Sequence, residues 1–202
     1  LYDLEKELIL TIEKAGFLSP DRLRVIALAE CGKTPAVTAE TVARASGAGA
    51  MLICLGDASA PDGDFLAHLE AAMDVCGRTG AGMIVIDRLD CALAVSAGGV
   101  CVGEGGLPVA VCRQVGGESL AVGVSLACSY ERRGYDFQDA DFAVVTLPNP
   151  EDCIDGEVLE KLVKCAAQEC IPLIIAGSPG HNLRDAVVSA GAAGIAVDCT
   201  GD

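Results

Sequence analysis

No stretch of this chain approaches the roughly 20 apolar residues that a membrane-crossing helix needs. The opening Tyr2-Asp3-Leu4-Glu5-Lys6-Glu7 is acidic rather than basic-then-apolar, so it does not read as a secretory signal. Basic residues are scarce: 14 Lys and Arg stand against 29 Asp and Glu, a formal charge of −15. Nucleic acid and anionic membrane surfaces would both be repelled, so neither is an expected partner. The simplest reading of the charge is solubility. No Cys-x-x-Cys pair occurs, and an odd count of 11 cysteines argues against a closed disulfide framework. Cys54, Cys101, Cys128 and Cys199 fall in or beside apolar strands, where free cysteine serves as a small hydrophobe. Cys165 and Cys170 have no partners at metal spacing, so no structural zinc is expected. A reducing compartment follows: the cytoplasm, or the plastid stroma if the source is eukaryotic.

What is present is a strand–helix alternation, clearest near the C-terminus. Ile171-Pro172-Leu173-Ile174-Ile175-Ala176-Gly177-Ser178 reads as an apolar strand ending at Gly and a hydroxyl. Pro179-Gly180-His181-Asn182 leads into a helical run over 183–190, and Gly191 to Val197 turns into another apolar strand. This is a parallel βαβ unit. Its two strand ends, Gly177-Ser178 and Asp198-Cys199, fall on one side of the sheet and can offer N–H groups to a phosphate, with Asn182 near the helix start.

The same alternation runs through the whole chain. A leading amphipathic helix spans about 3–15, with Leu4, Leu8 and Ile12 on one face and Gly16 as its stop. Strands are expected at 23–28, 51–55, 83–86, 100–102, 120–124 and 142–145, before the two already named. Helices are expected from Thr38 as N-cap, over 64–76, 89–96, from Pro108, over 130–137 and over 156–168. Eight strands alternating with helices, most of them apolar on both faces, favour a (β/α)8 TIM barrel. A doubly wound open sheet is the runner-up, but its G-x-G-x-x-G fingerprint is absent; that loop reads Ala29-Glu30-Cys31-Gly32-Lys33. The expected organisation is a helix and linker over 1–20 and a barrel over 21–202. Nothing after strand eight reads as an eighth helix, so the leading helix is expected to fill that groove, or the chain to be a module of a longer protein.

Several segments resemble the thiamine phosphate synthase family, including its TenI-type relatives. The resemblance rests on Ile86-Asp87-Arg88, on Asp90 to Val100, on Gly99-Val100-Cys101-Val102-Gly103-Glu104-Gly105-Gly106-Leu107-Pro108, on Gly123 to Ala127, on Ile171-Pro172 through Ser178, and on Ala190 to Val197. Six blocks in order imply the family's barrel. In that family two Asp carboxylates hold Mg²⁺ on a pyrophosphate while a pyrimidine is joined to a thiazole phosphate. The resemblance makes Asp87 the first of these and Gly106 the second, and Gly cannot bind metal. Cationic and polar family positions correspond to Cys54, Gly56 and Ala58, the Asn before Asp87 to Ile86, and the family histidines to Cys101 and Ala127. A pyrophosphate would lack compensation, and Asp57 and Glu104 would worsen it. Mg²⁺ is expected only if the synthase reaction survives.

The synthase-like domain of chloroplast FZO-like dynamin-related GTPases is similar at Gly105 to Arg113, where Gly replaces the catalytic Asp. The expectation is therefore a degenerate, non-catalytic barrel. It would bind a small phosphate ester at Gly177, Ser178, Asn182, Asp198 and Cys199, or serve as an interaction or regulatory domain beside other domains of a longer chain. The alternative is an active synthase or tautomerase-like enzyme with altered residues. Among other candidates, Asp87 with Arg88 reads as a loop ion pair, His181 as a helix-entry residue and His68 as a surface residue of an acidic helix. Ser125 and Cys128 have no His at family spacing, so no nucleophile–base pair is visible. Glu30 and Asp57 are strand-end carboxylates able to act as acid and base.

Overall fold

Short β-branched and aliphatic runs alternate with amphipathic helices, and the runs close on one another. The structure is a computed structural model that describes residues 14–57, 60–103, 105–127, 137, 140–146, 156–177, 187 and 189–199. Its strands are β1 (Val25–Glu30), β2 (Leu52–Gly56), β3 (Gly82–Ile86), β4 (Gly99–Val102), β5 (Ala121–Ala127), β6 (Phe142–Thr146), β7 (Leu173–Ala176) and β8 (Gly194–Asp198). All pair in parallel and in sequence order, and β8 closes on β1. The helices are α1 (Pro20–Leu23), α2 (Pro35–Gly47), α3 (Asp62–Thr79), α4 (Leu89–Ala94), α5 (Val109–Gly116) and α6 (Gly156–Gln168). The expected (β/α)8 barrel is what forms, and the open sheet is excluded.

Strand parity splits the core in two. Ile26, Cys54, Ile84, Phe142, Ile174 and Ala196 fill the bore. Ile53, Val85, Val122, Val145 and Ile175 face outward and pack beneath the helices. Such alternation lets each strand bury both faces, which is why the strands read as continuous apolar runs. Each fully buried aliphatic or aromatic side chain adds about 1.5–3 kcal/mol of transfer free energy.

The floor, at the N-terminal ends of the strands, is plugged. A Cβ on Gly98 or Gly82 would lie 2.2 or 2.5 Å from the Phe17 ring, so both glycines make room for it. The Lys14 ammonium sits 3.2 Å from Asp141, whose other oxygen accepts from Arg113 at 2.7 Å and from the Val122 N–H at 2.8 Å. The end of the leading helix thus lies under the bore, beside the base of β5 and β6, rather than in the β8–β1 groove; residues 1–13 lie outside the described residues.

Several expected boundaries move. The helix that was to stop at Gly16 runs through residues 14–17. The first strand begins at Val25, not Leu23, because Pro20 opens a short helix that ends with Leu23 buried against the barrel. Helix α2 is capped by Thr34, whose side chain accepts the Val37 N–H, with Pro35 at its first position; Thr38 lies inside it, fully buried. Helix α3 starts at Asp62 and runs to Thr79, ended by Gly80 at φ +76°. Strands β2 and β5 also reach further, to Gly56 and Ala127. The helices expected over 130–137 and 183–190 fall largely outside the described residues.

Candidate functional site

The C-terminal ends of the strands form the mouth, the face that carries chemistry in barrels of this type. Glu30 shares the parity of Ile26 and Leu28 and pairs in register with Gly56, so it faces the bore. Asp198 shares the parity of Ala196 and pairs with Leu28. Asp57 directly follows β2, and its carboxylate accepts the Ala60 N–H at 3.1 Å. Glu30 and Asp57, proposed from sequence as acid and base, therefore stand on neighbouring strand ends. Both also bear on Cys31, whose thiol is pushed up to about 11, by burial first and then by Asp57 and Glu30.

Asp87 sits directly after β3 with φ +60°, a left-handed conformation that Asp tolerates better than most residues. The Arg88 N–H donates back to the Ile86 carbonyl at 2.8 Å, closing a tight turn around it. The Asp87 N–H donates to the Cys101 carbonyl at 2.9 Å, and its Oδ1 accepts the Gly103 N–H at 2.7 Å. The carboxylate is thus tied to the β4–α5 loop. It does not form the expected loop ion pair with Arg88. That guanidinium turns away to Asp62 at 2.6 Å and Asp90 at 3.6 Å and lies over the Phe65 ring at 5.5 Å. A cleft of about 420 Å³ opens between Asp87 and Gly105, Gly106 and Leu107. A Cβ on Gly106 would lie 2.9 Å from Asp87 Oδ1, so position 106 looks straight at the carboxylate.

This arrangement does not fit a carboxylate-bridged Mg²⁺. Position 106, which faces Asp87 Oδ1, has no side chain, so no second carboxylate stands opposite Asp87 there. Among the described residues no group of three or more His, Cys, Asp or Glu is placed to hold a metal ion.

At the opposite side of the mouth the expected phosphate cup is altered. The Gly177 N–H donates to the Ala196 carbonyl at 3.2 Å, and the Cys199 N–H donates to the Leu28 carbonyl at 2.8 Å. Both donors were expected to be free for an anion and are instead spent in the sheet, because β8 must bond to β1 and β7 to close the barrel. Ser178 and Asn182, with His181 and Glu104, lie outside the described residues. The Cys199 carbonyl accepts from Arg44 at 3.4 Å, and its thiol is held up by burial and Asp198.

The bore beneath the mouth is apolar. Cys54 and Cys101 line it; burial pushes the Cys54 thiol up to about 12 and the Cys101 thiol well above the usual range. Neither is a thiolate near neutral pH, so neither supplies a nucleophile. His68, expected on the surface, is 9% exposed, and its Nδ1 lies 2.6 Å from Thr38 Oγ1. Thr38 Oγ1 also accepts the Gly32 N–H at 2.9 Å, so the pair ties α2, α3 and the β1–α2 loop together. Its signal was in the sequence: Phe65, His68, Leu69 and Ala72 fall on one helical stripe, the buried one.

The family described as thiamine monophosphate synthase matches residues 25–198, from the first residue of β1 to the last of β8. The chain belongs to that family. A thiamine-phosphate synthase of Chlorobium luteolum is 35% identical over 165 residues, 78% of this chain and 76% of that protein. The thiamine biosynthesis bifunctional protein ThiM/ThiE of Symbiobacterium thermophilum is 36% identical over 141 residues, 65% of this chain; the match spans only 29% of that longer protein. The thiamine phosphate pyrophosphorylase of Pyrococcus furiosus superposes with a TM-score of 0.73 at 24% identity, covering 89% of this chain and 87% of that one, which agrees in fold. In this member of the family, Asp87 at the mouth faces a glycine, Gly106.

Proposed function

We propose that this chain is a thiamine phosphate synthase-type barrel that keeps the scaffold without the Mg²⁺-dependent coupling of a pyrimidine pyrophosphate to a thiazole phosphate. The observation that carries this reading is the Asp87–Gly106 pair. A two-carboxylate metal seat needs a side chain where Gly106 stands, and the glycine leaves Asp87 as a single carboxylate there. The carboxylates Glu30, Asp57 and Asp87 around the mouth oppose a polyanionic substrate, because in a low-dielectric mouth like charges repel strongly. The chain then serves as a ligand-binding or regulatory barrel. If it takes a phosphate ester at the β7–β8 side, the Gly177 and Cys199 N–H groups are not its donors, because both are bonded in the sheet.

One observation favours an active synthase instead: relatives named thiamine-phosphate synthase are 31–35% identical over most of the chain. A single assay separates the two. The chain is incubated with both precursors and Mg²⁺, and thiamine phosphate is quantified. No product above a no-enzyme control is expected; product above it establishes the synthase. A thermal-shift series with thiazole phosphate, thiamine phosphate and inorganic phosphate then tests ligand binding. A ligand at a hundredfold excess over Kd stabilises by about 2.7 kcal/mol. No shift with any phosphate ester leaves the scaffold reading alone.

A further inference from the structure

Among the described residues, two polar or charged side chains are buried: Thr38 at 0% and His68 at 9% exposure. They meet between α2 and α3, which pack along one another, with Thr38 Oγ1 2.6 Å from His68 Nδ1. Thr38 stands near the start of α2, where its own N–H donates to the Thr34 carbonyl at 3.1 Å. Packing one helix on another does not require such a pair, because two apolar side chains of the same shape serve it about as well. What an apolar pair cannot do is reach out of the helix layer to a backbone N–H. Thr38 Oγ1 does so, accepting the Gly32 N–H at 2.9 Å.

The hydroxyl is used in both directions. Its oxygen spends a lone pair on Gly32, and its proton points to His68 Nδ1, the one other atom bonded to it among the described residues. A hydroxyl that donates to Nδ1 requires the neutral imidazole with its proton on Nε2. The ring thus fixes the hydroxyl rotor, and the rotor aims a lone pair at the loop. The loop fits closely there: a Cβ on Gly32 would lie 2.6 Å from Val37 Cγ1 and 3.2 Å from the Thr38 nitrogen. Cys31 directly precedes Gly32, and Glu30 before it is the last residue of β1, at the mouth.

We propose that Thr38 and His68 are positioning residues of the mouth: from behind the barrel wall they latch the β1–α2 loop and so set where Glu30 and Cys31 stand. The latch acts whatever ligand the mouth takes, so its test needs no ligand and is separate from the coupling assay.

Thr38→Val removes the hydroxyl, keeps the shape and leaves the Gly32 N–H without an acceptor. Hydrogen exchange at the Gly32 amide, followed by NMR, should speed up at least about tenfold, with amides of β3 unchanged. Once released, Cys31 loses the burial that is the first cause of its thiol standing at about 11 against an ordinary 9.0. Thiolate at pH 8 then rises by up to about a hundredfold, and lower intrinsic nucleophilicity offsets about tenfold of that. Alkylation of Cys31 by iodoacetamide, resolved by peptide mass spectrometry, should therefore run up to about tenfold faster. Exposed Cys170 and buried Cys54 serve as references and should not change. His68→Leu should behave as Thr38→Val. Thr38→Ser keeps the hydroxyl, His68→Asn keeps an acceptor near the Nδ1 position, and both should read as the unaltered chain. In the unaltered chain itself, imidazole nitrogen shifts should place the His68 proton on Nε2. Exchange at Gly32 and alkylation of Cys31 that stay unmoved in Thr38→Val and His68→Leu overturn the proposal. So do gains shared with Cys54, which mean general loosening of the fold, and a neutral ring with its proton on Nδ1.

Discussion

The two ends of the barrel are built to opposite rules. The floor is dry and close-packed: Phe17 fills space left by Gly82 and Gly98, Leu23 lies under β8, and Asp141 gathers Lys14, Arg113 and the Val122 N–H. The mouth is open and acidic, with Glu30, Asp57 and Asp87 on successive strand ends and glycine at positions 56, 103 and 106. Small residues serve both ends, for different reasons. At the floor they are contact surfaces for another side chain. At the mouth they bring backbone close to Ile86 and to the Asp87 carboxylate, beside the cleft. A substitution at the floor should therefore change stability, and one at the mouth should change ligand response.

The largest effect is expected at Gly194. A Cβ there would lie 1.7 Å from the Leu23 carbonyl oxygen, and backbone cannot give way as a flexible side chain can. Gly194→Ala should cost more than about 4 kcal/mol or prevent folding, because β8 is pushed off the turn that leads into β1. A urea midpoint close to that of the unaltered chain would show that the floor is not close-packed. Phe17→Ala comes next. It empties the plug without straining backbone and should cost about 2–3 kcal/mol, below the range for a fully buried Phe, because Phe17 is only half-buried. Its thermal shift with phosphate esters should match that of the unaltered chain. A changed ligand response would mean that floor and mouth are coupled.

The sequence made the barrel legible and left the mouth half-read, for physical reasons. Helix α6 was placed over the observed Gly156–Gln168 because its amphipathic stripe is uninterrupted. Strand β1 was misplaced by two residues because Leu23 continues the apolar run, although it belongs to a helix opened by Pro20. The cap of α2 was assigned to Thr38 although Thr34-Pro35 is the stronger signal, a capping hydroxyl followed by a residue with preset φ. Asp87 was found, but its partner was not, since the Gly103 N–H is a backbone donor that no motif advertises. Likewise the use of the Gly177 and Cys199 N–H groups follows from how β8 registers against β1 and β7, a three-dimensional fact.

Between floor and mouth lies the bore, and its cysteines give a pH-dependent reading of how dry it is. Cys54 titrates near 12 when folded, against an ordinary 9.0, because burial disfavours the thiolate. Between these values the unfolded chain has lost the proton that the folded chain keeps. The folded state then binds more protons, and stability falls as pH rises. Below pH 9 the contribution is fully present. Urea unfolding from pH 7.5 to 11 should show the advantage of the unaltered chain over Cys54→Ala shrinking above pH 9, by about 1 kcal/mol per pH unit. A constant gap would mean that water reaches the bore.

The smallest effect on stability, and the sharpest test of the mouth, is expected from Gly106→Asp. The new Cβ sits 2.9 Å from Asp87 Oδ1, so the carboxylate must swing aside or the loop must shift by a few tenths of an ångström. Asp87 is exposed, which lets it yield, and the cost should stay near 1 kcal/mol. Two carboxylates then face one another across the cleft, and their repulsion is relieved by a divalent cation that accepts oxygen ligands. Mg²⁺ or Mn²⁺ should raise the melting temperature of the variant and leave that of the unaltered chain unmoved. At tenfold excess over Kd the stabilisation is about 1.4 kcal/mol. Equal shifts in both proteins would mean that the metal binds elsewhere or that Asp87 alone suffices, and the Asp87–Gly106 argument would then fail. A shift confined to the variant would show that one side chain separates this mouth from a metal-binding one, while the floor remains as it was.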